Sequence, residues 1–318
     1  MTTRAIYGIG HTSTLIPPND ERSFFEHVGL PFAPETGDCQ MRTAWWLAEA
    51  ALLAYGDPAY VVDQFEATGF TCTPYDTCSP ACYIAHTSEY VIIAFGGTGF
   101  ISMKDWTLNI RAKTEPWPYG GKVHQGFQAL TNELWENTGF GKHLTELRED
   151  PDRTFWFTGQ SLGAALATLA TDRFYHESPT SEENDRIGLY TFGGPRMGNK
   201  HFADRFPVRT VYRFVNNRDY VPHILPNLLV PNSWFRGYTH VGHLKYIDST
   251  GYIHPEKPGW FFRLKDCLAS PYRGWKDDEN SSYRSVFLVY LFFEWLIDHS
   301  PVLYAHRIWN FLMKSPES

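Results

Sequence analysis

No apolar run in this 318-residue chain approaches the length of a membrane span. The longest, from Val286 to Ile297, holds 12 residues and includes Glu294, whereas a spanning helix needs roughly 20. It reads as a buried or interfacial helix, and no transmembrane segment is expected. A surplus of cations is also lacking. The 28 Lys and Arg stand against 35 Asp and Glu, a net charge of -7, which leaves no footprint for a phosphate backbone and argues against a nucleic-acid partner. Cysteine is scarce: five residues, an odd count, is the opposite of the dense even framework of small secreted domains and favours a reducing compartment. The start MTTRAIYGIG has one Arg but no apolar run of signal-peptide length behind it, so a cytoplasmic location is expected. Charged residues make up 20% and hydrophobic residues 43%, a balance that excludes disorder and a coiled coil. Internal repeats and low-complexity tracts are absent too. What the chain has in quantity is aromatic: 11 Trp, 18 Tyr and 23 Phe, suited to a large core or to the surroundings of an apolar ligand.

Residues 1–38 hold four Pro and four Gly, with Pro17-Pro18 and Pro31 preventing long helices, and are expected to form an irregular N-terminal arm. From Gln40 to Tyr55 the apolar residues recur at helical spacing, with Ala44, Trp45, Leu47, Ala48, Ala51 and Leu52 on the inward face. The runs CYIAH and EYVIIAF then predict a hairpin across Thr87-Ser88-Glu89. Further on, TFWFTG (154–159), GLYTFGG (188–194) and RTVYRFVN (209–216) read as buried strands, and Leu162–Tyr175 between the first two reads as a helix. Strand-helix alternation of this kind builds an α/β fold with a mostly parallel central sheet flanked by helices. A single domain over 39–318 is expected.

Gly159-Gln160-Ser161-Leu162-Gly163 matches G-x-S-x-G in the strand-turn-helix setting that a nucleophile elbow requires. A nucleophilic Ser must sit on a tight turn, and only glycine at the flanking positions lets strand and helix approach so closely. A serine nucleophile also needs a base and an acid that orients the base, in the chain order Ser, Asp or Glu, His. Asp219, just past the strand RTVYRFVN, is the best-placed acid because loops at the carboxyl ends of parallel strands face the crevice of such a sheet. By residue type alone the better reading is an Asp capping a turn before Pro222. Cys72, Cys78, Cys82 and His86 form a C-x5-C-x3-C-x3-H series whose spacing suits no common zinc site, and no metal is expected there.

The blocks AFGGT (94–98), KVHQGF (122–127), TGQSLGAALA (158–167), TFGGPRMGN (191–199) and RFVNNRDYVPH (213–223) occur in an order and spacing that resemble fungal-type class 3 lipases. The resemblance runs from about Gln40 to about Leu312 and implies an α/β-hydrolase fold, with Ser161 as nucleophile, Asp219 as triad acid and Thr98 as an oxyanion-hole residue. The second oxyanion donor in such a site is the amide after the nucleophile, here Leu162. The family usually places Arg where this chain has Gly96, so an anchoring charge for the oxyanion loop is missing. His124 carries no catalytic role in this reading. The resemblance also implies a lid over residues 99–120, rich in apolar side chains such as Trp106 and Trp117. For the base the choice lies among His240, His299 and His306. His240 resembles a family block that precedes the catalytic histidine. His306 resembles the A-H pair of fungal members, whereas His299, in Asp298-His299-Ser300 with Tyr304 five residues on, resembles many class 3 lipase-like sequences. His299 is favoured because it lies between two apolar helical runs, on a loop that can reach Ser161.

The function expected from these residues is serine carboxylic ester hydrolysis through Ser161, Asp219 and His299, as a lipase or esterase on acylglycerol-like substrates. The alternatives are a phospholipase A1, a feruloyl-type esterase or a catalytically silent lipid-binding protein. No cofactor is implied. The partners expected are a lipid or small ester substrate and a transient contact with a lipid interface.

Overall fold

Ile187–Phe192 is buried at every position, as a strand covered on both faces must be. A computed structural model describes residues 24–25, 30–75, 81–97, 114–177, 186–223, 237–267 and 297–314. In chain order its strands are β1 (Thr71–Tyr75), β2 (Cys82–His86), β3 (Tyr90–Phe95), β4 (Thr114–Pro116), β5 (Lys122–His124) and β6 (Thr154–Gln160), then β7 (Ile187–Phe192), β8 (Gly198–Asn199), β9 (Thr210–Asn216), β10 (Tyr238–Thr239) and β11 (His243–Ile247). Seven of them form one sheet in the order β1-β2-β3-β6-β7-β9-β11. Strands β3, β6, β7, β9 and β11 run parallel, and the β2–β3 hairpin and β1 are antiparallel additions at one edge. A smaller antiparallel sheet has the order β10-β8-β5-β4.

Helices cover both faces of the large sheet. One face carries α1 (Met41–Leu53) and the C-terminal helix Pro301–Leu312, which pack on each other, with Trp45, Leu47, Tyr304 and Ile308 in a shared core. The other carries Gln125–Asn137, Phe140–Arg148 and the Ala-rich helix Leu162–His176, around Phe127, Phe140, Phe157 and Leu169. The aromatic surplus is spent mainly here. Phe25 stacks on Trp46 with ring centroids 4.4 Å apart, and Phe32 meets Tyr90 and Trp156 edge-on. The stretch read as an irregular arm has no helix or strand among its described residues, yet Phe24, Phe25 and Phe32 are buried.

Two edge strands carry no clear sequence signal. Strand β1 contains Pro74, which an edge strand tolerates because one side of its backbone has no ladder to complete. Strand β11 contains Lys245, whose ammonium nitrogen lies 5.3 Å from the Tyr212 ring centroid. Cys72 packs into the core on the α1 face and Cys82 into the core on the opposite face. Two residues on opposite sides of a sheet cannot share an ion, and among the described residues no cluster of three metal-ligating side chains exists. Cys78 lies outside the described residues.

The lid expectation over 99–120 needs correction at its end. Thr114–Pro116 is a strand of the small sheet, and Trp117 is 3% exposed, its indole N–H donating to Asp172 Oδ2 at 2.5 Å. These residues are fixed by a ladder and a charge-assisted hydrogen bond. Residues 99–113 lie outside the described part, as does most of Val286–Ile297.

Candidate active site

Strand β6 ends at Gln160, and the chain turns into the helix beginning at Leu162 within one residue. That residue, Ser161, takes φ 56° and ψ -121°, a left-handed conformation that costs a non-glycine residue roughly 1–3 kcal/mol and persists only where the surroundings impose it. The glycines on either side make the turn possible. A Cβ on Gly159 would lie 2.4 Å from the Gly163 carbonyl carbon, and one on Gly163 would lie 2.3 Å from the Phe95 carbonyl oxygen.

Strand β9 ends at Asn216, and Asp219 follows three residues later at the same carboxyl edge of the sheet as Ser161. His299 enters from the turn ahead of the C-terminal helix. The structure brings these three together. His299 Nε2 lies 2.9 Å from Ser161 Oγ, and His299 Nδ1 lies 2.9 Å from both carboxylate oxygens of Asp219. With the Nδ1 proton directed at a carboxylate, Nε2 is left as the acceptor for the serine hydroxyl proton. All three side chains are buried. Asp219 also accepts the Val221 N–H at 2.9 Å, so it caps the turn before Pro222 while it holds the histidine.

The C-terminal helix supplies a scaffold that sequence reasoning missed. Tyr304 donates to Asp219 Oδ2 at 2.6 Å and accepts the Asn216 N–H at 3.0 Å. Burial, and next the Asp219 charge, push its phenol pKa well up, so it remains a donor. Arg307 bridges Asn216 Oδ1 at 3.0 Å and Asp298 Oδ1 at 3.3 Å, tying the loop that carries Asp219 to the residue before His299. The D-H-S block with its later Tyr was the available signal, but its purpose depends on the helix geometry.

The other histidines are elsewhere. His240 Nε2 lies 2.9 Å from the Pro222 carbonyl, and His306, on the C-terminal helix, lies 2.9 Å from Asn310 Nδ2. His124 is the N-cap of the helix Gln125–Asn137, its Nδ1 accepting the N–H groups of Gly126 and Phe127. Burial lowers its pKa, which keeps that acceptor unprotonated. Leu162 opens its helix directly after Ser161, where backbone N–H groups have no intrahelical partner. Thr98 lies outside the described residues.

Comparison with known proteins finds similarity to lipases. Residues 92–229 match the model of the class 3 lipases. The matched segment holds 138 of the 318 residues, and over it the chain is similar to the class 3 lipases. It is 25% identical over 286 residues to a triacylglycerol lipase of Ricinus communis, covering 70% of this chain and 53% of that protein. It is 32% identical over 167 residues to a lipase of Rhizomucor miehei, covering 51% of this chain and 42% of that protein. The chain thus spans about half the length of the curated relatives it matches. Among solved structures, a triacylglycerol lipase whose catalytic centre is formed by a serine protease triad superposes with a TM-score of 0.55 at 23% identity, over 69% of this chain and 85% of that one. This likeness concerns the fold.

In this chain the missing charge at Gly96 has a structural reason. A Cβ there would lie 2.6 Å from the Ala54 carbonyl oxygen, so the end of α1 occupies the room that a side chain would need. The next residue of that segment, Tyr55, does the anchoring. Its hydroxyl hydrogen-bonds the Gly97 backbone and donates to Gln160 Oε1. The amide nitrogen of Gln160 then donates to the His299 carbonyl at 2.6 Å. One tyrosine thus links Gly97 to the histidine segment through the residue before Ser161. Gly97 must be glycine for this, since a Cβ would lie 1.9 Å from the Tyr55 hydroxyl oxygen. Removing the hydroxyl leaves buried partners unsatisfied, at a cost of about 1–3 kcal/mol. Tyr55→Phe is expected to lower kcat about tenfold while changing KM little, as read by steady-state kinetics on a soluble ester. An unchanged kcat would remove Tyr55 from the scaffold.

Proposed function

We propose that this chain is a serine carboxylic ester hydrolase acting on acylglycerol-like esters, with Ser161, His299 and Asp219 as its triad. The observation that most supports this reading is the hydrogen-bond relay from Ser161 Oγ through the His299 ring to both Asp219 oxygens. A positioned base beside an alcohol on a strained turn is the arrangement that turns serine into a nucleophile. His299 Nε2 takes the hydroxyl proton as Oγ attacks the ester carbonyl. Asp219 stabilises the imidazolium, and the negative charge on the tetrahedral oxygen is held by the Leu162 amide and by Thr98. Collapse breaks the ester bond, with His299 giving its proton to the departing alcohol. Water, deprotonated by the same histidine, then attacks the acyl-serine and releases the carboxylic acid.

The preference for acylglycerol-like esters is supported by the relatives, a triacylglycerol lipase and a lipase. It is tested with p-nitrophenyl esters of increasing chain length. Each methylene buried in an apolar acyl site contributes about 0.8 kcal/mol, or about fourfold in kcat/KM. Octanoate is therefore expected to exceed acetate by well over tenfold. A strict preference for acetate or for a hydroxycinnamoyl ester would overturn the substrate assignment. Failure of a fluorophosphonate probe to label Ser161 would overturn the enzyme assignment itself.

A further inference from the structure

The segment Lys257-Pro258-Gly259-Trp260-Phe261-Phe262-Arg263-Leu264-Lys265 does not take part in the relay described above, and it runs against the rule that large apolar side chains go inside. Residues 260–267 are helical. Trp260 and Phe261 are each 68% exposed and Leu264 is 46% exposed. At 100° per residue these three fall within one 100° arc, so they form a single outward apolar ridge. The two leading rings brace each other edge-on at 5.9 Å.

The helix is held firmly from behind. Phe262 turns the other way, onto the His254 ring at 5.1 Å. Asp266 accepts the Tyr246 hydroxyl at 3.0 Å and the Ser249 hydroxyl at 2.5 Å, which fixes the helix to β11. Cys267 hydrogen-bonds Tyr220, the residue after Asp219. The helix that carries the ridge therefore meets, at its C-terminal end, the loop that holds the relay's carboxylate.

Charge identifies the occupant. The whole chain has a net charge of -7, yet from Lys257 to Lys265 there are three cations and no carboxylate. Lys257 and Lys265 are exposed, and Lys265 follows Phe261 by four residues, on the same helix face. The nearest acid on the helix, Asp266, is engaged inward by Tyr246 and Ser249; Glu256 flanks the segment on its other side. Trp and Phe projecting between cations is the pattern of a surface that inserts its rings at the headgroup level while its lysines meet lipid phosphates.

We propose that Trp260, Phe261 and Leu264, with Lys257 and Lys265, dock this protein onto an anionic lipid surface beside its active-site rim. The proposal does not depend on turnover, because docking requires no chemistry at Ser161.

The test is co-sedimentation of the full chain with vesicles of phosphatidylcholine alone and of phosphatidylcholine mixed with phosphatidylserine. Tighter binding to the mixed vesicles, weakened by salt, is expected. The double variant W260S/F261S should lower binding to both vesicle types at least about tenfold. K257Q and K265Q should each lower binding to the mixed vesicles by about fivefold and leave the neutral vesicles unaffected. Hydrolysis of a soluble p-nitrophenyl ester and the thermal midpoint should stay at the wild-type level in all of them. Wild-type vesicle binding by W260S/F261S would overturn the proposal. So would a fall of several degrees in its thermal midpoint, which would show that the ridge is covered within the folded chain. A self-association seen by sedimentation velocity, abolished by W260S/F261S without any vesicle binding, would assign the ridge to a second copy instead. If the wild-type chain hydrolyses no ester, the enzyme reading fails while vesicle binding still decides this one.

Discussion

Ser161→Ala is expected to lower kcat for ester hydrolysis by about a thousandfold or more while leaving the fold intact. The group removed is a single oxygen, 2.9 Å from His299 Nε2. Without it no acyl-enzyme can form, and the residual rate comes only from whatever the oxyanion donors and substrate binding contribute. The backbone at 161 has φ 56°, and alanine tolerates that conformation no better than serine. A modest loss of stability is therefore compatible with the prediction, whereas near-wild-type activity is not. Burst kinetics with a p-nitrophenyl ester, read beside a circular dichroism spectrum, separates loss of chemistry from loss of fold. Activity within tenfold of wild type would remove Ser161 as the nucleophile and with it the whole proposed mechanism.

His299→Asn carries the second large effect, and it discriminates among histidines. Asparagine keeps a polar group near Asp219 but cannot accept the serine proton and return it, so kcat should fall about as far as for Ser161→Ala. His306→Asn and His240→Asn should retain most activity. His306 contacts Asn310 one helical turn along, and His240 contacts the Pro222 carbonyl; neither is part of the relay. Steady-state kinetics of the three variants on one soluble ester decides the matter. If His306→Asn alone is inactive, the C-terminal register is displaced and the assignment of His299 falls.

What the amino-acid order determined by itself is what acts over short distances along the chain. The apolar strand TFWFT, the glycines at 159 and 163 and the Ala-rich helix after them lie within one strand-turn-helix unit, so sterics and hydrophobic period declare the elbow at Ser161 locally. Asp219 was legible for a related reason: it follows the end of a buried strand, and the ends of parallel strands face a common crevice. The strands β4, β8 and β10 hold only two or three residues each, too few for any period to register, and only their ladder in space defines them.

The tertiary structure alone brings His299, which the sequence favours over His240 and His306, to Ser161 across 138 residues of chain and to Asp219 across 80. It also decided that the anchoring charge absent at Gly96 is replaced by Tyr55, which reaches Gln160 over 105 residues. Helix and strand signals repeat along the chain because backbone geometry repeats. A hydrogen bond between two distant side chains has no such period, and it exists only once helices and sheet have packed and set the distance between them.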